Sequence, residues 1–193
     1  LQYLVTTRHD VIRWWGPKPG IAPPPVQLVV HVDADHASCT KTGRSYTGIT
    51  YSVDGTGAPY DWVCERQTSV AKDNNVAEGN AVRRAISDTD GFHQPFMAEV
   101  GVRVHKALIL TDSETTASKI DHFSSRTKTR AENVALHHPR EILRKDTIVL
   151  GWCDTTKMIS DALTKRVTST TLASHAQHLL GAVTEWYSGQ YHA

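Results

Sequence analysis

Four acidic residues occupy places in the sequence where an acid would be buried. Asp33 and Asp112 each follow a short apolar run, QLVVHV and KALILT, that is typical of a buried strand. Glu78 and Asp161 each lie one turn away from apolar residues on the stripe of a predicted helix. A single acid of this kind is often a turn former or a solvated helix residue. Four of them together favour a shared chemical site, because burying unpaired carboxylates is costly.

The chemistry that such a cluster suits is binding of a hard metal ion. Clustered carboxylates repel each other, and they stay ionised together only beside a cation. An all-oxygen set of ligands suits Mg²⁺ or Mn²⁺ rather than zinc. The sequence therefore predicts that Asp33, Glu78, Asp112 and Asp161 hold a divalent metal ion.

The elements that would position these acids form an α/β pattern. Three β-rich runs come first, VQLVVHVD, SYTGITYSVDG and APYDWVCERQTSV, and the turns between them predict a meander. A helix over NNVAEGNAVRRAISD, a strand over KALILTDSE, a helix start at TASKI and a helix over RAENVALHHPREILRK follow, and Pro139 should kink or break the last helix. DTIVLGW predicts a final strand, and TTKMISDALTK and TLASHAQHLLGAVTEWY predict two more helices. This order predicts a mixed sheet flanked by helices.

Length and composition agree with one globular domain and short appendages. The chain has 193 residues, of which 39% are hydrophobic and 21% charged. The net charge of +1 neither requires nor excludes a polyanionic partner. Three scattered cysteines predict neither a disulfide framework nor a zinc site, so we expect a reducing, intracellular setting. No apolar run approaches the length of a membrane span, so no membrane partner is expected.

Seven motifs, taken in order, resemble the ribonuclease H domain of copia-type retrotransposon Pol polyproteins. They are VDADHAS, GRSYTG, DWVCERQTSVA, AEGNA, LTDSETT, SRTK and ISDALTK, spread over residues 27–167. The resemblance implies a ribonuclease H-like mixed five-stranded sheet flanked by helices. LQYLVTT resembles the segment that follows the reverse transcriptase in this family, so a piece of a longer chain is expected. The implied division is a remnant of that connection with a Pro-rich linker (1–26), the ribonuclease H-like domain (27–167) and a C-terminal helical extension (168–193).

The resemblance also implies a mechanism and partners. Asp33 would bridge two divalent ions, Mg²⁺ or Mn²⁺, while Glu78 and Asp112 would complete one metal site and Asp161 would serve the other. The implied activity is endonucleolytic cleavage of the RNA strand of RNA–DNA hybrids during reverse transcription. The implied partner is the reverse transcriptase domain of the same polyprotein. The implied location is intracellular, either cytoplasmic in a virus-like particle or nuclear.

Basic and polar residues near these motifs are candidates for binding the nucleic acid. They are Lys41, Arg44, Arg66, Gln67, Arg126, Lys128 and Arg130. A solvated basic loop is the alternative for each of them. His175 and His178, three residues apart on a predicted helix, lack a third ligand nearby in the sequence and favour a surface or core role over a metal site.

Two departures from the family pattern leave a second function open. Gly79 stands where the family usually has a tyrosine, which costs about 1 kcal/mol of helix stability relative to alanine. The segment after SRTK also diverges. The alternative is therefore a decayed copy that keeps the fold and binds nucleic acid or a polymerase, although the complete set of acids opposes it. An integrase-type strand transferase on the same general fold is a weaker third hypothesis.

Overall fold

A central strand with different neighbours on its two sides organises the sheet. The computed structural model describes residue 12 and residues 25–54, 58–121 and 130–181. The five strands in this part are β1 (Val26–Ala34), β2 (Tyr46–Val53), β3 (Asp61–Arg66), β4 (Val104–Thr111) and β5 (Ile148–Trp152). Their order is β3-β2-β1-β4-β5, antiparallel from β3 to β1 and parallel from β1 to β5. The predicted mixed five-stranded sheet is confirmed.

Six α-helices accompany the sheet in the described residues. They are α1 (Asn74–Asp88), α2 (Gln94–Glu99), α3 (Glu114–Asp121), α4 (Arg130–Leu143), α5 (Asp161–Thr164) and α6 (Ser169–Leu179). The bounds of α1 are those predicted from its sequence pattern. Asp73 caps this helix, because its side chain accepts a hydrogen bond from the Val76 backbone at 3.0 Å. No helix of the described residues combines the length and apolar character needed to cross a membrane.

Two helical segments can be compared with their local expectations. The helix α4 continues through Pro139 to Leu143, so Pro139 does not break it. Arg140 ties this stretch to α3 by donating hydrogen bonds to the backbone oxygens of Lys119 and Ile120. The run TTKMISDALTK forms a short 3₁₀ turn (Thr155–Lys157) and α5 instead of one helix, because Met158 between them leaves the helical conformation and is fully buried.

Both faces of the sheet are covered, which explains the unbroken apolar run in β1. Leu28, Val30 and Val32 point to one core, where α1 packs its buried face. Val29 points to the other face and packs with a smaller cluster that includes Leu108. An unpaired acid in β1 would therefore be buried on either face.

The sheet topology brings two of the acids to the same edge. In the parallel pair β1–β4, Val32 is the register partner of Thr111, so Asp33 and Asp112 follow at neighbouring strand ends. In the antiparallel pair β1–β2, Asp33 lies opposite Gly48. The carboxyl ends of adjacent parallel strands are where α/β proteins commonly build sites.

Gly48 allows α5 to lie against the sheet beside Asp33. A Cβ atom at this position would lie 2.7 Å from Thr164 Cγ2 and 2.9 Å from the Ser160 backbone oxygen. Such distances are too short for any real side chain, so the helix would have to shift. Glycine at this position is thus a condition for placing α5 next to Asp33.

The two glycines near the acids should respond to alanine in opposite directions. An added Cβ at Gly79 meets nothing within 4 Å in the described residues, so Gly79→Ala should raise the free energy of unfolding by about 1 kcal/mol through helix propensity. Gly48→Ala should lower it by roughly 1–3 kcal/mol through overpacking. Urea unfolding of both variants measures this contrast. Stabilisation by Gly48→Ala would contradict the close packing of α5.

Candidate active site

Three of the four predicted acids meet at the edge of the sheet. Asp33 at the end of β1, Glu78 on α1 and Asp112 after β4 each offer a carboxylate oxygen, and these oxygens lie within 4.8 Å of one another. Asp33 and Glu78 are almost fully buried, with exposed fractions of 1% and 4%. We call these three residues the acid trio. Within the described residues, no other group of three histidine, cysteine or acidic side chains meets the same geometric condition.

Burial and mutual repulsion raise the pKa values of two members of the acid trio. Burial raises the pKa of Glu78 to about 9, and repulsion from Asp33 and Asp112 adds to this shift. Burial also raises the pKa of Asp33, and the Asp112 charge contributes in the same direction. In the absence of a cation, burial and repulsion therefore favour the protonated form of Glu78.

The donor set fits a divalent metal ion. All three ligand groups are carboxylates, and Glu78 Oε2 is buried with no hydrogen-bond partner among the described residues. An orphaned buried oxygen is rare in folded proteins, and coordination of an ion would satisfy it. Oxygen ligands of this kind suit Mg²⁺ or Mn²⁺. The acid trio can hold such an ion with Asp33, Glu78 and Asp112.

Asp161 lies beside the acid trio in a different setting. It begins α5 and pairs with a lysine, because Lys165 Nζ lies 2.9 Å from Asp161 Oδ1. The same ammonium group lies 3.6 Å from Asp33 Oδ1. Burial raises the pKa of Asp161 to about 7, and the Asp33 charge adds to this shift. Asp161 is thus electrostatically coupled to Asp33 but is not a member of the three-residue cluster.

Sequence reasoning missed two residues that hold this part of the site. The Thr164 hydroxyl donates a hydrogen bond to Asp33 Oδ2, and Lys165 contacts both Asp33 and Asp161. Both residues belong to the ISDALTK motif, in which the sequence predicts a role for Asp161 alone. The motif itself was the available signal, since its last residues fall one turn after the acid.

Two further residues fix Asp112. The Thr155 hydroxyl donates to Asp112 Oδ2 at 3.0 Å, and the Trp152 indole donates to the Asp112 backbone oxygen at 3.0 Å. The Trp152 side chain is about half exposed beside the site. The Trp152 contact comes from the end of β5 and the Thr155 contact from the 3₁₀ turn that follows, and together they hold Asp112 in place.

Gln67, predicted to contact nucleic acid, forms hydrogen bonds within the protein. Its side-chain nitrogen donates to Thr47 Oγ1 at 3.1 Å and to the Ala77 backbone at 2.9 Å, and its oxygen accepts from Asn80 at 3.1 Å. The side chain is buried, and these contacts join the end of β3 to α1. Gln67 therefore positions the helix that carries Glu78, and its contact with nucleic acid stays a prediction.

Three of the predicted basic residues lie together near the acid-bearing edge. Lys41 and Arg44 belong to the turn between β1 and β2, and Arg66 ends β3. Arg66 Nη1 lies 3.8 Å from Cys39 Sγ, whose backbone nitrogen donates to the Arg44 oxygen. Arg126 and Lys128 lie outside the described residues, as does the side chain of Arg130.

His31 and His175 have a core role. His175 on α6 is fully buried, and its Nε2 lies 3.4 Å from the Thr156 backbone oxygen. His31 on β1 is also buried, and burial lowers its pKa to about 3, with His178 and His175 adding to the shift. These groups are neutral near pH 7.

The fold can be recognised among solved structures. No protein-family model and no curated protein matches the sequence. LC11-RNase H1, isolated from compost by a metagenomic approach, has 18% identity and a TM-score of 0.56 over 72% of this chain and 92% of that chain. The N-terminal RNase H domain of rv2228c from Mycobacterium tuberculosis has 15% identity and a TM-score of 0.54, covering 79% and 97%.

A second structure of LC11-RNase H1, in complex with an RNA/DNA hybrid, gives a similar result. Its identity is 16% and its TM-score 0.54, with 71% of this chain and 93% of that chain covered. Likeness at such identities establishes the fold, and the predicted ribonuclease H-like fold is therefore confirmed. The acid trio lies within the part of the chain that adopts this fold.

The stability of the metal-free protein should fall as the pH rises. Glu78 has a folded-state pKa of about 9 against an ordinary value of 4.5, so the folded protein keeps a proton that the unfolded chain releases between these values. The stability that this retained proton contributes is fully present below pH 4.5 and is lost as the pH rises through about 9. Glu78→Gln should remove more than about 1 kcal/mol of this dependence, the equivalent of one pKa unit.

Thermal and urea unfolding in EDTA, from about pH 6 to about pH 9, measures this effect. Parent and Glu78→Gln curves with the same pH dependence would contradict the burial of an ionisable Glu78 beside two other acids.

Proposed function

We propose that this protein is a metal-dependent endoribonuclease that cleaves the RNA strand of RNA–DNA hybrids. The observation that carries this proposal is the acid trio, in which three carboxylate oxygens meet within 4.8 Å at the edge of a ribonuclease H-like sheet. An acid cluster alone does not define a reaction. The combination of this fold with buried acids at its strand ends supports phosphodiester hydrolysis over a purely structural role.

The residues take distinct parts in this proposal. Asp33, Glu78 and Asp112 hold one divalent ion, and Asp33 with Asp161 holds a second. Bound divalent ions would supply an activated water and charge stabilisation for the leaving 3′ oxygen. Thr155 and Trp152 keep Asp112 in place, while Gln67 secures α1 behind Glu78.

The fold and the basic residues support the proposed substrate. One of the similar structures, LC11-RNase H1, was obtained in complex with an RNA/DNA hybrid. In this chain the turn that carries Lys41 and Arg44 lies next to Arg66, and all three can contact phosphates of a duplex bound across the acid-bearing edge. Arg126, Lys128 and Arg130 are further nucleic-acid-binding residues in this proposal.

The biological setting is a separate proposal, supported by the seven sequence motifs. We propose that the domain follows the reverse transcriptase in a copia-type Pol polyprotein, with domain limits at 27–167 as predicted. The neighbouring polymerase would be its partner, and the location would be a cytoplasmic virus-like particle or the nucleus.

The alternative of a decayed copy has less support. It depended on Gly79 and on divergence after SRTK. The helix α1 runs without interruption past Gly79, and Glu78 remains buried in the acid trio. A hybrid-cleavage assay distinguishes the two candidates.

Asp112→Asn should separate activity from stability. The substitution keeps the side-chain shape and removes one repelling charge, so the metal-free variant should be at least as stable as the parent. Two charges about 4 Å apart repel by at most roughly 4 kcal/mol at an effective dielectric of about 20. Stabilisation by Mg²⁺ should shrink, and hybrid cleavage should fall by at least about a hundredfold. Thermal unfolding with and without Mg²⁺, beside a cleavage assay, measures these outcomes.

Asp154→Asn provides the matched control. Asp154 is an exposed acid that caps the 3₁₀ turn by accepting from the Thr156 backbone at 2.8 Å. Its substitution should leave the Mg²⁺ response and cleavage unchanged. Equal cleavage of plain duplex DNA by the parent, or full activity of Asp112→Asn, would overturn the proposed function.

The basic residues should control the salt dependence of hybrid binding. Each phosphate contact releases counterions, so replacing Lys41 and Arg66 with alanine should reduce the slope of log affinity against log salt by about 1 for each lost contact. Lys106→Ala is the control, because Lys106 pairs with Asp146 near the start of β4, away from the acid-bearing edge. Fluorescence anisotropy at several salt concentrations measures the slopes. An unchanged slope in the double variant would remove these residues from the interface.

A further inference from the structure

Lys165 occupies a distinctive place in the acid cluster. Its ammonium group lies 2.9 Å from Asp161 Oδ1 and 3.6 Å from Asp33 Oδ1. These are the two acids assigned to the second divalent ion, whereas Glu78 and Asp112 complete the first site with Asp33. The lysine thus contacts the one pair of acids that would share the second ion.

The environment of Lys165 allows its ammonium group to be displaced from Asp33 and Asp161. The side chain is 40% exposed, while the carboxyl groups of Asp161 and Asp33 are almost fully buried, with exposed fractions of 7% and 1%. Lysine carries a compact point charge on a flexible stem, so the ammonium group can swing into water without disturbing the fold. The buried acids cannot follow it, since α5 is packed over Gly48 and Thr164 is hydrogen-bonded to Asp33. When the ammonium group leaves, another cation must compensate for the two acids.

We propose that Lys165 is a tethered counter-ion that holds the place of the second divalent ion between Asp33 and Asp161. This inference rests on the proposed function, since it assumes that the acid trio binds metal. The first ion has Glu78 and Asp112 as ligands besides Asp33, so Lys165 competes with it less. The second ion binds only when it displaces the ammonium group, so its apparent affinity is reduced by the competition. Lys165 therefore sets the order and the concentration range in which the two ions bind.

A purely structural salt bridge makes a different prediction. If Lys165 only anchors α5, its removal lowers stability and leaves the affinity for the second ion unchanged. If it competes with an ion, its removal also lowers stability in the metal-free state but tightens the second site. The two roles therefore differ in metal binding and not in stability alone.

Lys165→Met tests the proposal with Mn²⁺ alone as the probe. Methionine keeps an unbranched side chain and removes the charge. Isothermal titration calorimetry and the electron paramagnetic resonance signal of free Mn²⁺ count the ions bound and give each affinity without substrate or catalysis. The parent should bind one ion tightly and a second weakly, and Lys165→Met should tighten the second site by about tenfold or more while the first changes much less. Asp161→Asn combined with Lys165→Met should abolish the gain.

Lys145→Met is the matched control. Lys145 Nζ lies 2.9 Å from Asp90 Oδ2, the same distance as in the Lys165–Asp161 pair. This pair joins the residues after α4 to the π-helical turn Thr89–His93 that follows α1. Its loss should leave both Mn²⁺ affinities unchanged. Lys165→Gln keeps a hydrogen-bond donor for Asp161 and should also raise the affinity of the second site for Mn²⁺. This variant serves as the test if Lys165→Met does not fold.

The possible failures are distinguishable. One tight ion in the parent, with a second affinity that neither Lys165 variant changes, overturns the counter-ion role and leaves the proposed function intact. No Mn²⁺ bound by the parent, or tight binding that survives Asp112→Asn, overturns the acid trio as a metal site and the counter-ion role with it.

Discussion

Repulsion among buried carboxylates is the constraint that the rest of this structure has to satisfy. Asp33, Glu78 and Asp112 bring three oxygens within 4.8 Å of one another, and burial raises the pKa of Glu78 to about 9. Such an arrangement costs stability, and folded proteins keep costly arrangements mainly at functional sites. Each acid is carried by a different element, so only the assembled fold holds them together.

The mixed sheet makes this arrangement possible. A parallel neighbour places Asp112 beside Asp33, while an antiparallel neighbour presents Gly48 opposite Asp33. Because glycine leaves room there, α5 can close over the strand and bring Thr164 and Lys165 to the buried carboxylate. Gln67 supports the opposite side of the site by joining β3 to α1. The acids are thus fixed by backbone topology and by a small number of polar contacts. A bound cation would offset the remaining repulsion among the carboxylates.

Much of this could be predicted from local patterns in the sequence, because strand ends, turns and a capped amphipathic helix are local features. The bounds of α1 and the places of Asp33 and Asp112 at strand ends follow from such features. Long-range features could not be predicted in this way. Lys165 and Asp33 are 132 positions apart in the sequence, and they meet only because α5 packs on β2. The buried residue Met158 divides the TTKMISDALTK segment, whose sequence predicts one helix, into a 3₁₀ turn and α5. The burial of Gln67 is likewise a tertiary feature, since its partners lie on β2 and α1.

The position of a bound ion tests the central claim most directly. Crystals of the protein soaked in Mn²⁺, measured at a wavelength where manganese scatters anomalously, locate the ion without reference to activity. The account predicts an anomalous peak bound by carboxylate oxygens of Asp33, Glu78 and Asp112 together, since these three groups form an all-oxygen ligand set. A fully occupied manganese site elsewhere in the molecule, with no density among these three carboxylates, would contradict it.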